Sequence, residues 1–326
     1  MSVISAAEVE LYTSRLNALT GAARESIASA LSRIEYDSVA DLRLKLFDAM
    51  EPFIVGSTDV AASLAAEFYD SVREQAVGER YGASPSSGYD QEATEGAIRA
   101  LLDGIVKGGT LEDIMGDLLD RADWEIKHAA GNCVIENADK DPLSKRYARI
   151  PAGDETCDFC LMLASRGFDY LSAKSAGADR RGHYHPNCDC RIVPGFDGME
   201  VEGYDPDELY IRFSELSEGF DDKAVVEEYN AHDEEWQRDN PFDEFKTRKL
   251  MAHVRKRRNE MDAAEKTPQI VLPKKEYGRV VSAINNAYHA RYEGEPAGII
   301  CVGDYRYSFK VNDFDDYVIT KRQELT

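Results

Sequence analysis

Five residues of one segment have the types and spacing of a metal site: Cys157, Cys160, His185, Cys188 and Cys190. In C-x-x-C, a tight turn brings two sulfurs to one point, within reach of a single ion. After twenty-four intervening residues, H-P-N-C-D-C offers one imidazole and two more sulfurs. Four such ligands at about 2.0–2.3 Å close a tetrahedral zinc site. Five candidates compete for the four places, and the spacing leaves open which is spare. His185 and Cys188 form an i, i+3 knuckle, whereas Cys188 and Cys190 could share one ion only through a particular turn. The expected cofactor is one structural Zn2+, a staple whose binding free energy is largely folding free energy.

Other chemistries fit less well. Cys157 and Cys160 would suit a redox pair if C-x-x-C opened a helix beside a strand, but the sequence shows no clear strand before it and adds H-x-x-C-x-C after it. Disulfides need an oxidising compartment. A zinc deaminase would place H-x-E before P-C-x-x-C; here the order is reversed and no Glu follows either His183 or His185. There is no H-E-x-x-H motif. Sulfur-rich closed ligation suits structure, not water activation, so no catalytic residue is expected and the chain reads as a non-enzyme with no small-molecule substrate. Iron could replace zinc in so soft a ligand set.

The run E-T-C-D-F-C-L-M-L-A-S-R-G-F-D-Y followed by Y-H-P-N-C-D-C-R-I-V-P resembles the signature of the MuF-like minor head proteins of tailed bacteriophages. The residues that carry the resemblance are Cys157, Cys160, Gly167, His185, Pro186, Asn187, Cys188 and Cys190. Many family members have Arg between the last two cysteines, where Asp189 stands here. The resemblance implies a structural protein in phage head morphogenesis at the portal or inner capsid surface. Its partners would be the portal, other capsid proteins and, indirectly, packaged DNA. Its location would be the virion head, after assembly in the bacterial cytoplasm. It also implies an apolar strand after the last cysteine. Two alternatives stay open: a carrier with a C-terminal nuclease or toxin module, for which His289 and Lys310 are candidates, and a host zinc-binding adaptor.

Composition agrees. The 326 residues carry a formal charge of −22, a poor surface for sequence-independent nucleic-acid binding. No apolar run approaches the ~20 residues of a membrane span, so no membrane partner is expected. The N-terminus MSVISAAEVELYTSRL lacks a basic region and an apolar core, which predicts synthesis in a cytoplasm where thiols stay reduced.

The elements that must position the cysteines are mainly helical. Residues 1–150 read as a helical bundle or arm. Val9, Tyr12, Leu16 and Leu19, continued by Ile27, Leu31 and Ile34, predict a helix over about 5–35. Val39, Leu42, Leu46 and Met50 predict a second, ended near Pro52, and Val60, Leu64, Phe68 and Val72 a third. Residues 78–88 read as a loop. Ile98, Leu101, Leu102 and Ile105 predict a fourth helix, stopped at Gly108-Gly109. Thr110 and Asp113 form a capping box for a helix reaching about Asn137; His128 and Cys133 on it read as structural. Residues 139–147 read as a polar connection into the zinc motif of 151–197. Residues 198–270 form an acidic segment, with short helices at Asp205-Pro206 and Asn240-Pro241, and end in the basic block KTRKLMAHVRKRR (246–258), which could touch nucleic-acid phosphates but reads better as pairing with the acids before it or as a solvated helix. Residues 271–326 read as a small α+β domain: a helix over 275–291, strands over 298–302 and 305–311 around Gly303-Asp304, and a third strand over 317–321.

Overall fold

The computed structural model describes residues 2–152, 156–169, 190–265, 272–288, 297–303, 305–311 and 317–324. It forms two compact units, Met1–Met251 and Ala252–Thr326.

Three long helices make the frame of the first unit: α1 (Ala6–Leu31), α2 (Val39–Val77) and, two short helices later, α5 (Leu111–Lys140). At 1.5 Å per residue, α2 is about 58 Å long. The two helices expected on either side of Pro52 are one. The apolar four-residue step Leu42, Leu46, Met50, Ile54 runs through the proline without a shift, and all four side chains are fully buried. Pro52 itself faces solvent. It removes one backbone hydrogen bond on the outer face, while the buried stripe on the inner face holds the helix together.

The bundle has two cores along its length. One joins Ile27 and Leu31 of α1, Leu42 to Ile54 of α2, and Ile114, Leu118 and Ala122 of α5. It is closed by α3 (Gln91–Leu101) and α4 (Asp103–Val106). The sequence predicts one helix there; the chain turns at Leu102, whose side chain is buried. The capping box of Thr110 and Asp113 is formed. The other core joins the opposite ends of the same helices. Ala61, Ala62, Ala65 and Ala66 of α2 lie in it with Ala130 of α5, small side chains that let helix backbones approach closely.

Polar side chains fasten the 78–88 loop to this frame. Gly78 ends α2 in the left-handed conformation at φ +93°, which glycine adopts at little cost. Asp70 then accepts from the backbone N–H groups of Tyr81, Gly82 and Ala83 at 3.0, 2.9 and 3.1 Å. Asn137 accepts from Ser84 N at 2.8 Å and donates to Ser84 O at 3.0 Å. Beneath the loop, Arg73 Nε donates to Asp141 at 2.6 Å and the Tyr69 hydroxyl donates to the same oxygen at 3.1 Å. Burial alone would raise the Asp141 carboxyl. The Leu143 N–H, Arg73 and Tyr69 outweigh it and hold Asp141 below the usual carboxylate range.

Four short strands lie on the second core. β1 (Ser2–Ile4) pairs in parallel with β4 (Met199–Val201), and β2 (Ser144–Ile150) pairs antiparallel with β3 (Arg191–Phe196). β3 is the strand that the resemblance implies. β2 corrects the reading of 139–147 as a connection. Tyr147, Ala148, Arg149 and Ile150 are all buried, so the strand lacks the period-two alternation by which strands are recognised.

The chain then runs through α6 (Asp158–Ala164), α7 (Pro206–Ser217), α8 (Asp222–Asn230), α9 (Glu234–Asp239) and α10 (Phe242–Glu265). Asp205, Asp221 and Asp233 cap the helices that follow them. Part of the acidic segment is therefore N-cap chemistry, which favours Asp strongly. Tyr229, Trp236, Phe242 and Phe245 pack edge to face or tilted, with centroids 5.1–5.9 Å apart. Lys246 pairs with Asp222 at 2.8 Å and Lys249 with Glu228 at 2.5 Å, the intramolecular pairing that was one of the readings of the basic block.

In the second unit, α11 (Lys274–Tyr288) accompanies an antiparallel sheet, β5 (Ala297–Val302), β6 (Tyr305–Val311) and β7 (Tyr317–Glu324), in the order β5-β6-β7. Val280, Tyr307, Phe309 and Ile319 form its core. Gly303 makes the β5–β6 turn at φ +62°.

Candidate metal centre

The C-x-x-C lies at the start of α6. Cys157 is the N-cap, and its sulfur accepts from the backbone N–H of Cys160 at 3.2 Å. A side chain capping the first turn must sit over that turn, so the cap itself holds Cys157 and Cys160 at one place. Cys160 is fully buried and Cys157 partly so.

The β2–β3 pair positions the other end. Ile150 is opposite Arg191, so the chain just before Arg191 returns beside a residue seven positions upstream of Cys157. Cys190 stands there, 1% exposed, and borders a small cavity with Tyr12, Leu16 and Ala130 of the bundle. Among the described residues no group of three or more Cys, His, Asp or Glu side chains is close enough together to hold one ion. The structure thus brings Cys157 and Cys160 together and leaves Cys190 in the core without completing a three-ligand group. His185 and Cys188 lie outside the described residues. The donor chemistry fits a soft divalent metal: two cysteine sulfurs at a helix start, and an imidazole and a further thiol in the same segment.

The surroundings of α6 are built to fix it. Gly167 follows at φ +61°. Phe168 then packs on β3, where a Cβ on Gly195 would stand 2.8 Å from its ring and 3.0 Å from the Arg146 carbonyl. Arg146 pairs with Asp169 at 2.7 Å. The Tyr204 hydroxyl donates to the Ala164 carbonyl at 2.5 Å, anchoring the end of the helix.

A strand does precede the C-x-x-C, so that ground for setting aside a redox pair falls. The topology supplies another. β2 pairs antiparallel with β3 in a two-stranded sheet, not in the parallel βαβ setting in which a thioredoxin-like motif opens its helix. No disulfide joins the described cysteines.

Two buried arginines escaped the sequence reading. Arg149 of β2 is fully buried, and Arg191 of β3 is 3% exposed. Arg191 donates to Asn17 of α1 at 2.7 Å and to the Cys190 carbonyl at 3.1 Å, tying the cysteine segment to the bundle. Only Arg191 had a local signal, its place at the head of the apolar run Ile192-Val193-Pro194; Arg149, in the polar-looking SKRYARI, had none, although arginine is almost never fully buried unless paired. His128 and Cys133 have the structural roles expected of them. His128 is stacked on Trp124 with centroids 4.5 Å apart, and Cys133 donates to the Ala62 carbonyl at 3.2 Å. His289 and the Lys310 side chain, candidates for a nuclease, lie outside the described residues.

A helical bundle carrying a thiol pair at a helix start, closed by a strand pair from the same segment, defines the class of fold. Comparison with known proteins then gives the lineage. The chain belongs to the VG15 protein family, which it matches over residues 3–216. It is 33% identical to the Gene 15 protein of Mycobacterium phage D29, over 22% of this chain and 37% of that protein. It is 31% identical to the Gene 15 protein of Mycobacterium phage L5, over 25% of this chain and 40% of that protein. The match thus spans about two fifths of these curated relatives. No solved structure matches. The chain is a phage-type protein, and no helix among its described residues is long and apolar enough to cross a membrane.

Proposed function

We propose that this protein is a structural minor head protein of a tailed phage, of the MuF-like kind, acting in head morphogenesis at the portal or inner capsid surface. One observation carries the reading. The family match of residues 3–216 takes in the bundle and the whole cysteine segment as one stretch, and the two relatives are phage gene products. The bundle supplies docking surfaces for the portal and other capsid proteins, with packaged DNA an indirect partner, and the protein resides in the virion head. It has no catalytic step. A zinc ion held by Cys157, Cys160, His185 and Cys188 staples the cysteine segment, and Cys190 is the candidate left over, packed in the core.

Two measurements test this. The protein co-expressed with the portal protein of the same phage should co-purify with it and be found by mass spectrometry in purified virions; absence from both sinks the head role. Elemental analysis should give about one zinc per chain, lost in Cys157→Ser, Cys160→Ser, His185→Ala and Cys188→Ser and kept in Cys190→Ser. Loss with Cys190→Ser, in a protein that keeps its helical circular dichroism, refutes this ligand set.

A further inference from the structure

An open groove of about 450 Å³ runs between α1 and α2 on the outer side of the first unit. Its floor is Tyr12 stacked on Phe68, with ring centroids 4.2 Å apart. Leu11 stands over that floor, 50% exposed, and Leu64 lines the opposite wall, half-buried. Val60, one turn further along α2, is 48% exposed. A lone exposed leucine is ordinary; apolar side chains lined up along one groove, above an aromatic floor, make a contact surface.

The charges that line the groove have an order. Glu8, Arg15, Glu67 and Arg80 are two acids and two bases. Gln75 donates to Glu8 at 3.2 Å. Arg80 pairs with Asp70 at 3.5 Å and with Glu74, the neighbour of Gln75, at 3.8 Å. Glu8 and Arg80 therefore mark one end. Arg15 pairs with Glu67 across the groove at 3.6 Å, and these two mark the other. Between Glu8 and Arg15 lie two turns of α1, about 10.5 Å along one face, with Leu11 midway. Helix α1 thus carries acid at the first end and base at the second, and the α2 side carries base at the first and acid at the second.

We propose that this groove is the contact between two copies of the chain, face to face about a two-fold axis that crosses α1 at Leu11. A closed pair presents the same patch from both copies. With the axis perpendicular to α1 and in the plane of contact, α1 lies antiparallel on α1 of the other copy, and the two ends exchange. Arg15 then meets Glu8, Glu67 meets Arg80, and Leu11 packs on its own counterpart above the two aromatic floors. The order of signs selects this occupant. It is self-complementary, whereas a partner of either single sign would meet like charges at both ends. Over the rest of its surface a chain of net charge −22 repels its own copy. Self-association therefore needs a patch where acids and bases balance, as they do here. The contact lies within the family-matched residues, and it depends on neither the metal nor the head role.

The test is sedimentation equilibrium of the full-length protein up to about 100 µM, where the parent should be a mixture of monomer and dimer. Arg15→Glu alone sets acid against acid at both symmetry-related places, and Glu8→Arg alone sets base against base. Each should weaken the dimer about tenfold. Mixed in equal amounts, the two variants regain both pairings between unlike copies, so the mixture should dimerise as the parent does. Neither side chain is buried, so the circular dichroism of each variant should match the parent. Mixing also separates a contact between copies from any change within one chain. Arg33→Glu, an exposed cation beyond the end of α1, should leave the dimer unchanged. A parent that stays monomeric at the highest concentration overturns the proposal and assigns the groove to a different protein. A dimer that ignores both single variants overturns it too, as does a mixture that stays monomeric when both single variants do.

Discussion

Asp141 is the residue on which the bundle and the cysteine segment both depend. It is the C-cap of α5, it receives Arg73 and Tyr69 of α2, and it starts the turn into β2 by accepting from Leu143 N at 3.0 Å. Its side chain is 0% exposed and that of Arg73 is 6% exposed. Asp141→Asn keeps an acceptor for Leu143 and removes the charge opposite Arg73. Breaking one side of a buried pair costs about 3–5 kcal/mol. Arg73 retains the Glu79 carbonyl at 2.8 Å and the exposed Glu79 carboxylate at 3.5 Å, so the expected loss is near the lower end, about 3 kcal/mol. With a urea m-value of about 3 kcal/mol/M, the midpoint followed by circular dichroism should fall by roughly 1 M at pH 7. The pH dependence has a fixed sign. Asp141 is depressed in the folded protein, so its contribution is fully present above the unfolded value of about 3.9. It is lost as pH falls through the lower folded value. The gap between wild type and variant should therefore be constant from pH 7 to about 5 and close progressively below about 4. Asp139, raised by burial, titrates in both proteins and largely cancels in the difference. A gap that is absent at pH 7, or that persists unchanged at pH 2.5, refutes the account.

Two further substitutions test the packing. Gly195→Ala places a methyl 2.8 Å from Phe168 and 3.0 Å from the Arg146 carbonyl; it should cost about 1–3 kcal/mol, read as a lower melting temperature. Pro52→Ala restores a backbone N–H in the solvent-facing side of α2 and should stabilise by about 1–3 kcal/mol; a drop in the urea midpoint would mean that the proline shapes the helix in a way the continuous stripe does not require.

The helices were legible wherever their signal was local. The apolar stripes of α1, α5 and α11, the capping box at Thr110 and the Asp205-Pro206 start each rest on contacts within one helix or on one buried face. Reading failed where a long-range term overrode a local one. Pro52 is a breaker by propensity, yet α2 passes through it because Leu46, Met50 and Ile54 are buried against other helices. β1 is only three residues long and is held by pairing with β4, almost two hundred residues away; nothing local marks it. β2 was hidden for the opposite reason. Its second half, Tyr147 to Ile150, is buried on both faces, and its buried Arg149 imitates a polar, solvent-facing position.

The cysteine segment shows where the chemistry of residue types stops and geometry begins. Spacing alone makes Cys157, Cys160, Cys188 and Cys190 equivalent candidates beside His185. The fold separates them. Cys157 and Cys160 share a helix start, where the Cys157 sulfur is the cap. Cys190 is one residue ahead of a strand whose next side chain, Arg191, is tied to Asn17 of α1. Cys190 is thus positioned by a strand packed on the bundle. Cys188 and His185 lie outside the described residues. The motif is read as a metal site from its donor types; the described residues place Cys157 and Cys160 at a helix start and Cys190 at the head of a strand packed on the bundle.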